Sequence, residues 1–116
     1  MKTDILNEND LRNLVDIFYG RVLNDEDLKP FFQKLNFETH IPKMVQFWSF
    51  AIFETPGYTT NLFQAHQHMP LKKVQFSAWL ALFNQTIDDL FEGPNALKAK
   101  QRAMVIALGM ESKIVS

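Results

Sequence analysis

The chain predicts an all-α fold of four main helices and two short helical pieces. Three observations predict it. Apolar residues recur with a helical period of about 3.6 in four separate segments, and the period-two alternation of a strand is missing. Only four Gly and five Pro punctuate 116 residues. The aromatic load is heavy, with eleven Phe and two Trp. A plain bundle is usually built on Leu, Ile, Val and Ala, so surplus flat side chains suggest a core wrapped around something flat.

The first helix opens near Asn7–Asn9. Leu11, Leu14, Val15, Phe18 and Val22 make its stripe, and Tyr19 flanks that stripe, four residues from Val15 and three from Val22. In NDEDLKPFF, Asn24 or Asp25 caps a short helical turn and Pro30 ends it. A second long helix starts around Thr39 as N-cap, with Pro42 in the first turn, where its missing N–H does no harm. Ile41, Met44, Val45, Phe47, Trp48 and Ile52 are its apolar face, and TPGY at 55–58 stops it. Residues 59–68 lack a clean period and read as a loop followed by a short helix, closed by Pro70. The third long helix runs from about Lys72 to Phe91 on Phe76, Trp79, Leu80, Phe83, Ile87 and Leu90. Gly93 and Pro94 end it and start the next. The fourth spans about Asn95 to Ser112, with Leu97, Met104, Val105 and Leu108 expected inside.

Length and composition narrow the function. One domain over residues 1–116 is expected. A net charge of -1 gives no field that would draw nucleic acid or an anionic membrane. The absence of Cys excludes disulfides, thiolate catalysis and Cys-ligated metal centres. No apolar run approaches the roughly 20 residues that span a bilayer, and the polar N-terminus does not resemble a secretory signal. A soluble, cytoplasmic protein is the expectation.

The residues with chemistry are His40, His66 and His68, with Tyr19 and Trp79 beside apolar stripes. On a helix, His66 and His68 point about 200° apart and cannot share one ligand. In an extended segment, His66-x-His68 with His40 makes a three-histidine zinc site. The aromatic surroundings and the lack of a nearby carboxylate base argue against zinc. Haem needs one axial imidazole, a flat apolar slot and polar groups facing the bound ligand. Either His66 or His68 satisfies the first requirement.

In order and spacing, IFYGRVLNDEDLKPFF, HIPKMVQFWS, AHQHMPLKKVQFSAWLALFNQTID and FEGPNALKAKQRAMVIA resemble the group III truncated haemoglobins, over about Leu14 to Ala107. The resemblance implies a truncated globin, a 2-on-2 helical sandwich holding haem b (iron protoporphyrin IX). It implies His66 as the iron ligand, three residues before the Met69-Pro70 pair, and leaves His68 as a neighbour off the site. It implies His40, eight residues before Trp48, as the distal histidine. Tyr19 of the IFY motif and Trp79 of F-x-x-W-L become hydrogen-bond donors to a bound ligand. Phe32 packs on the haem, Met44 touches its distal face and Phe76 adds to its wall. Pro42 departs from the pattern, placing His40 at a frayed helix start from which it swings in or out. Lys72 and Lys73 form a solvated helix start or meet a haem propionate.

The implied function is binding of O2 and other diatomic ligands. A polar distal set of Tyr, Trp and His suits redox chemistry on the ligand, either nitric oxide dioxygenation or a peroxidase-like reaction, with peroxide as a further ligand and an external reductase for turnover. The rival readings are a passive oxygen carrier or gas sensor and, further off, a haem-free helical interaction domain or zinc protein.

Overall fold

The computed structural model describes residues 2–58 and 70–114, and five helices lie among them. In chain order they are α1 (Glu8–Val22), α2 (Lys29–Phe32), α3 (Phe37–Phe53), α4 (Lys73–Leu90) and α5 (Pro94–Ile114). No strand occurs among the described residues. The short helix expected after residue 59, with His66 and His68, lies outside them.

Asn7 starts α1 by accepting the Asp10 N–H at 2.9 Å. Leu11, Leu14, Val15, Phe18 and Val22 are buried, and Tyr19 is buried with them at 6% exposure. Asp25 then turns the chain by accepting the N–H groups of Asp27 and Leu28. Pro30 opens α2 rather than ending a turn. The first helical N–H groups have no partner within the helix, so proline costs nothing there.

The start of α3 also corrects the sequence expectation. Asn36, not Thr39, is the cap, and its side chain accepts from the Glu38 N–H at 3.1 Å. Thr39 sits in the first turn and returns its hydroxyl to the Asn36 carbonyl. His40 is therefore held inside the helix, its N–H donating to the Asn36 carbonyl at 2.9 Å, and is not at a frayed end. Pro42 lies within the helix. The carbonyl it leaves without a partner belongs to exposed Glu38, where water serves. The helix closes at Glu54, which takes a left-handed φ of 59°.

α5 keeps the expected helical period but buries the opposite face. Leu97, Met104, Val105 and Leu108 are between 47% and 63% exposed. The buried stripe is Ala96, Ala99, Ala103 and Ala107. Small residues let α5 lie close along α4, with which it packs most extensively.

The helices form two pairs. α1 packs on α3 and α4 on α5, while α1·α4 and α3·α5 contacts join the pairs. This is the two-on-two arrangement. Several connections hold the pairs in register, among them Lys98 of α5, which donates to the Ile52 carbonyl of α3 at 3.0 Å. Arg21 of α1 donates to Asp89 at 2.8 Å and to the buried Thr86 hydroxyl at 3.2 Å, both on α4. The segment before α1 meets the start of α5, where Asp4 accepts the N–H groups of Asn95 and Ala96 at 2.9 and 2.8 Å. Asn95 donates its side-chain amide to the Ile5 carbonyl, and Ile5 is fully buried.

Candidate functional site

Between the two helix pairs lies an apolar cleft with about 800 Å³ of empty space, open solvent included. Every helix contributes to its walls. Phe18 and Tyr19 come from α1, Phe32 from α2, Met44, Phe47 and Trp48 from α3, Phe76, Trp79 and Phe83 from α4, and Ile106 and Met110 from α5. The i, i+3, i+4 spacing that buries each helix also aims these side chains at one space. The rings are ordered against one another. Trp79 stacks on Phe83 at 5.5 Å and 6° between planes. Trp48 also stacks on Phe83, at 4.7 Å and 16°. Phe18 meets Trp79 and Phe83 edge-on.

Tyr19 brings a buried hydroxyl to the cleft. Its hydroxyl lies 2.9 Å from Nε2 of His40, and its ring is held by Phe32, Phe37 and His40 at 6.0, 5.7 and 5.1 Å. Burial pushes the phenol well above its ordinary range, so Tyr19 keeps its proton at any physiological pH. Two arrangements of that proton are open to the pair. If His40 presents a bare Nε2, the Tyr19 O–H donates to it. If Nε2 carries hydrogen, it donates to the Tyr19 oxygen and leaves the phenol O–H for the cleft.

Of the residues singled out from the sequence, Tyr19, Phe32, Met44, Phe76 and Trp79 line the cleft. His40 stands behind Tyr19, half-buried, and reaches the cleft through it. His66 lies outside the described residues. Lys72 is exposed at the start of α4, where its N–H donates to the Gln75 side chain at 2.8 Å. Gln75, Ile106, Ala107 and Met110 also line the cleft and were not anticipated. For the last three, the signal was the stripe Ala103, Ile106, Ala107, Met110, whose 3, 4, 7 spacing competes with the larger residues on the other face. Trp48 and Phe47 were read as core and are both core and wall.

These walls fit a flat apolar group. Stacked and edge-on rings line the cleft, and the Tyr19 hydroxyl stands in its wall. The ring-lined apolar walls suit a flat cofactor such as haem, and the expected iron ligand, His66, lies outside the described residues.

Comparison with known proteins agrees. The family model of the bacterial-like globins matches residues 4–112. The group 3 truncated haemoglobin ctb of Campylobacter jejuni is 26% identical over 114 residues, covering 92% of this chain and 90% of that one. The crystal structure of the group III truncated haemoglobin from Campylobacter jejuni superposes with a TM-score of 0.88 at 25% identity, over 98% of this chain and 95% of that one. A truncated haemoglobin from Tetrahymena pyriformis, 20% identical, shares the fold with a TM-score of 0.74 over 89% of each chain.

Proposed function

Because the chain belongs to the bacterial-like globin family, we propose that its cleft holds haem b through His66 and carries out redox chemistry on a bound diatomic ligand. Haem-based ligand binding is the general function of a globin, and the added chemistry is our reading of this chain's polar groups. The observation that carries it is the buried Tyr19 hydroxyl, 2.9 Å from the half-buried His40, in a mostly apolar cleft that Trp79 also lines.

The haem would supply a redox-active iron on which O2, nitric oxide or peroxide binds. Phe32, Met44 and Phe76 would pack against the haem, and the apolar walls exclude water. Tyr19 O–H and Trp79 Nε1–H would serve as donors toward a bound ligand, and hydrogen bonds to charged acceptors are roughly twice as strong as neutral ones. His40 positions Tyr19 and sets which way its proton points. Two donors slow ligand escape, which favours nitric oxide dioxygenation or a peroxidase-like reaction over simple transport. Turnover draws electrons from an external reductase.

The test has two parts. Purified protein should show an intense Soret band that is lost in His66→Ala and kept in His68→Ala. Nitric oxide added to the oxygenated protein should be consumed stoichiometrically and yield nitrate. Rapid oxygen release with no nitric oxide consumption would instead make the protein a carrier or sensor.

A further inference from the structure

Seven large apolar residues are exposed among the described residues, and four of them stand on α5. They are Leu97, Met104, Val105 and Leu108, between 47% and 63% exposed. At about 100° per residue they fall within one arc of about 100°, which exposed Gln101 and Ser112 complete. Single apolar residues on a surface need no explanation, but a contiguous stripe does. The fold supplies none, because α5 already buries Ala96, Ala99, Ala103 and Ala107 on its opposite side.

The charge beside this stripe is one-sided. α5 carries four cations, Lys98, Lys100, Arg102 and Lys113, and one carboxylate, Glu111. The whole-chain charge of -1 averages this away. Lys98, Arg102 and Lys113 occupy an arc of about 60° that adjoins the stripe along one edge. Lys98 reaches the Ile52 carbonyl of α3 at 3.0 Å, and a neutral carbonyl leaves its charge in place. Arg102 and Lys113 are exposed. Glu54, two residues beyond Ile52 at the end of α3, is the carboxylate that this edge meets from the neighbouring helix, and the edge stays cationic with it counted. On the other edge, Lys100 is paired with Asp88 at 2.7 Å.

This pattern selects its occupant. A second copy fits poorly, since a two-fold pairing across the stripe brings the cationic edges together when the helices are antiparallel. When they are parallel it sets Lys98 and Arg102 beside Lys100. A protein partner is usually gripped by buried aromatic anchors, and the stripe has none. A lipid surface needs only aliphatic side chains on one face of a helix and cations along its flank. We propose that the outer face of α5 binds the surface of a membrane rich in anionic phospholipid. Its aliphatic stripe enters between the headgroups, and Lys98, Arg102 and Lys113 lie at the level of the phosphates. No helix among the described residues is long and apolar enough to cross a membrane, so α5 lies in the plane of the surface. The proposal does not depend on what the cleft holds.

The 116-residue chain should sediment at low salt with vesicles of equal parts phosphatidylglycerol and phosphatidylcholine. Binding to phosphatidylcholine alone should be weaker by more than about tenfold. Arg102→Gln should weaken binding to the mixed vesicles roughly fivefold. Val105→Ser combined with Leu108→Ser should weaken it by about tenfold or more, with the helical circular dichroism of both variants unchanged. Protein that stays in the supernatant with both vesicle types overturns the proposal and leaves the stripe to a protein partner. Full binding by the Val105/Leu108 double variant overturns α5 as the docking face. A lipid-free dimer in sedimentation velocity that the double variant abolishes assigns the stripe to a second copy, and overturns the proposal as well.

Discussion

At the scale of single residues, Tyr19 holds the site together. It is simultaneously core, cleft wall and hydrogen-bond partner of His40, so its role separates cleanly from its packing only in a substitution that keeps the ring. Tyr19→Phe should raise the oxygen dissociation rate. A hydrogen bond to a charged acceptor contributes about 1.5–3 kcal/mol, which corresponds to roughly tenfold to hundredfold. Trp79→Phe should act in the same direction, and stopped-flow release of oxygen measures both. An unchanged rate in either variant removes that donor from the mechanism. The same burial makes a second prediction. The Tyr19 phenol is raised above its unfolded value, so its neutral form is the one the fold favours. That contribution is complete below about pH 10 and is lost as pH climbs above it. An ultraviolet titration should therefore show one of the two tyrosines ionising only as the protein unfolds in alkali. Resemblance to the group III truncated haemoglobins, rather than periodicity, singles out Tyr19, Phe32, Met44, Phe76 and Trp79, which the fold brings to one cleft. Neither was enough to place the His40 ring, because Asn36 captures the helix start three residues before Thr39. A capping contest between nearby polar residues is decided by the turn that precedes them, and periodicity does not encode that turn.

At the scale of elements, the start of α5 is the most instructive point. Asp4 accepts two N–H groups there, supplying in trans the carboxylate that a helix N-terminus favours. Gly93 lies at φ 146°, and a Cβ there would come within 2.5 Å of the Asp4 carboxyl carbon. Asp4→Ala should lower stability by about 1–2 kcal/mol, read as a lower denaturation midpoint in urea. A midpoint within error of wild type would show that the cap is dispensable. The Arg21–Asp89 pair tests how α1 is held to α4. The Asp89 carboxyl lies below its ordinary range, chiefly through the hydrogen bond from Arg21. Its contribution is therefore present above the unfolded carboxylate value and lost as pH falls through the folded one. Arg21→Ala should flatten the acid limb of the stability profile and leave the neutral-to-alkaline limb in shape. The misread face of α5 has a plain cause. The helix carries two apolar stripes of the same period, and the bulkier one attracts the expectation of burial. Close helix pairing rewards small residues instead, so the Ala stripe goes inside. Ala103→Leu should accordingly cost about 1–3 kcal/mol by overpacking, although it raises the hydrophobicity of the helix.

At the scale of the molecule, the helical class was legible because four long segments each repeat one period, and class depends on period alone. The two-on-two pairing is a property of contacts between distant segments and entered the sequence reading through resemblance. The cleft is a property of the same kind. Its walls are the core: Val15, Phe18, Tyr19, Phe32, Phe47, Trp48 and Phe83 are all buried residues that also line it. A cleft built this way makes folding and occupancy inseparable, because the rings that would face a bound group also hold α1, α3 and α4 together. Removing that group leaves apolar surface with no partner between the two helix pairs. Haem bound at a thousandfold excess over its dissociation constant would add about 4 kcal/mol to stability, on the order of 15 °C for a chain of this length. The haem-free protein should therefore melt well below the haem-bound form in circular dichroism, with the gap growing as haem is titrated in. His66→Ala should bring the two curves together, whereas Tyr19→Phe, which keeps the ring, should leave most of the gap in place. Coincident melting of the wild-type protein with and without haem would mean that the cleft is filled by its own side chains, and the aromatic load would then be core and nothing more.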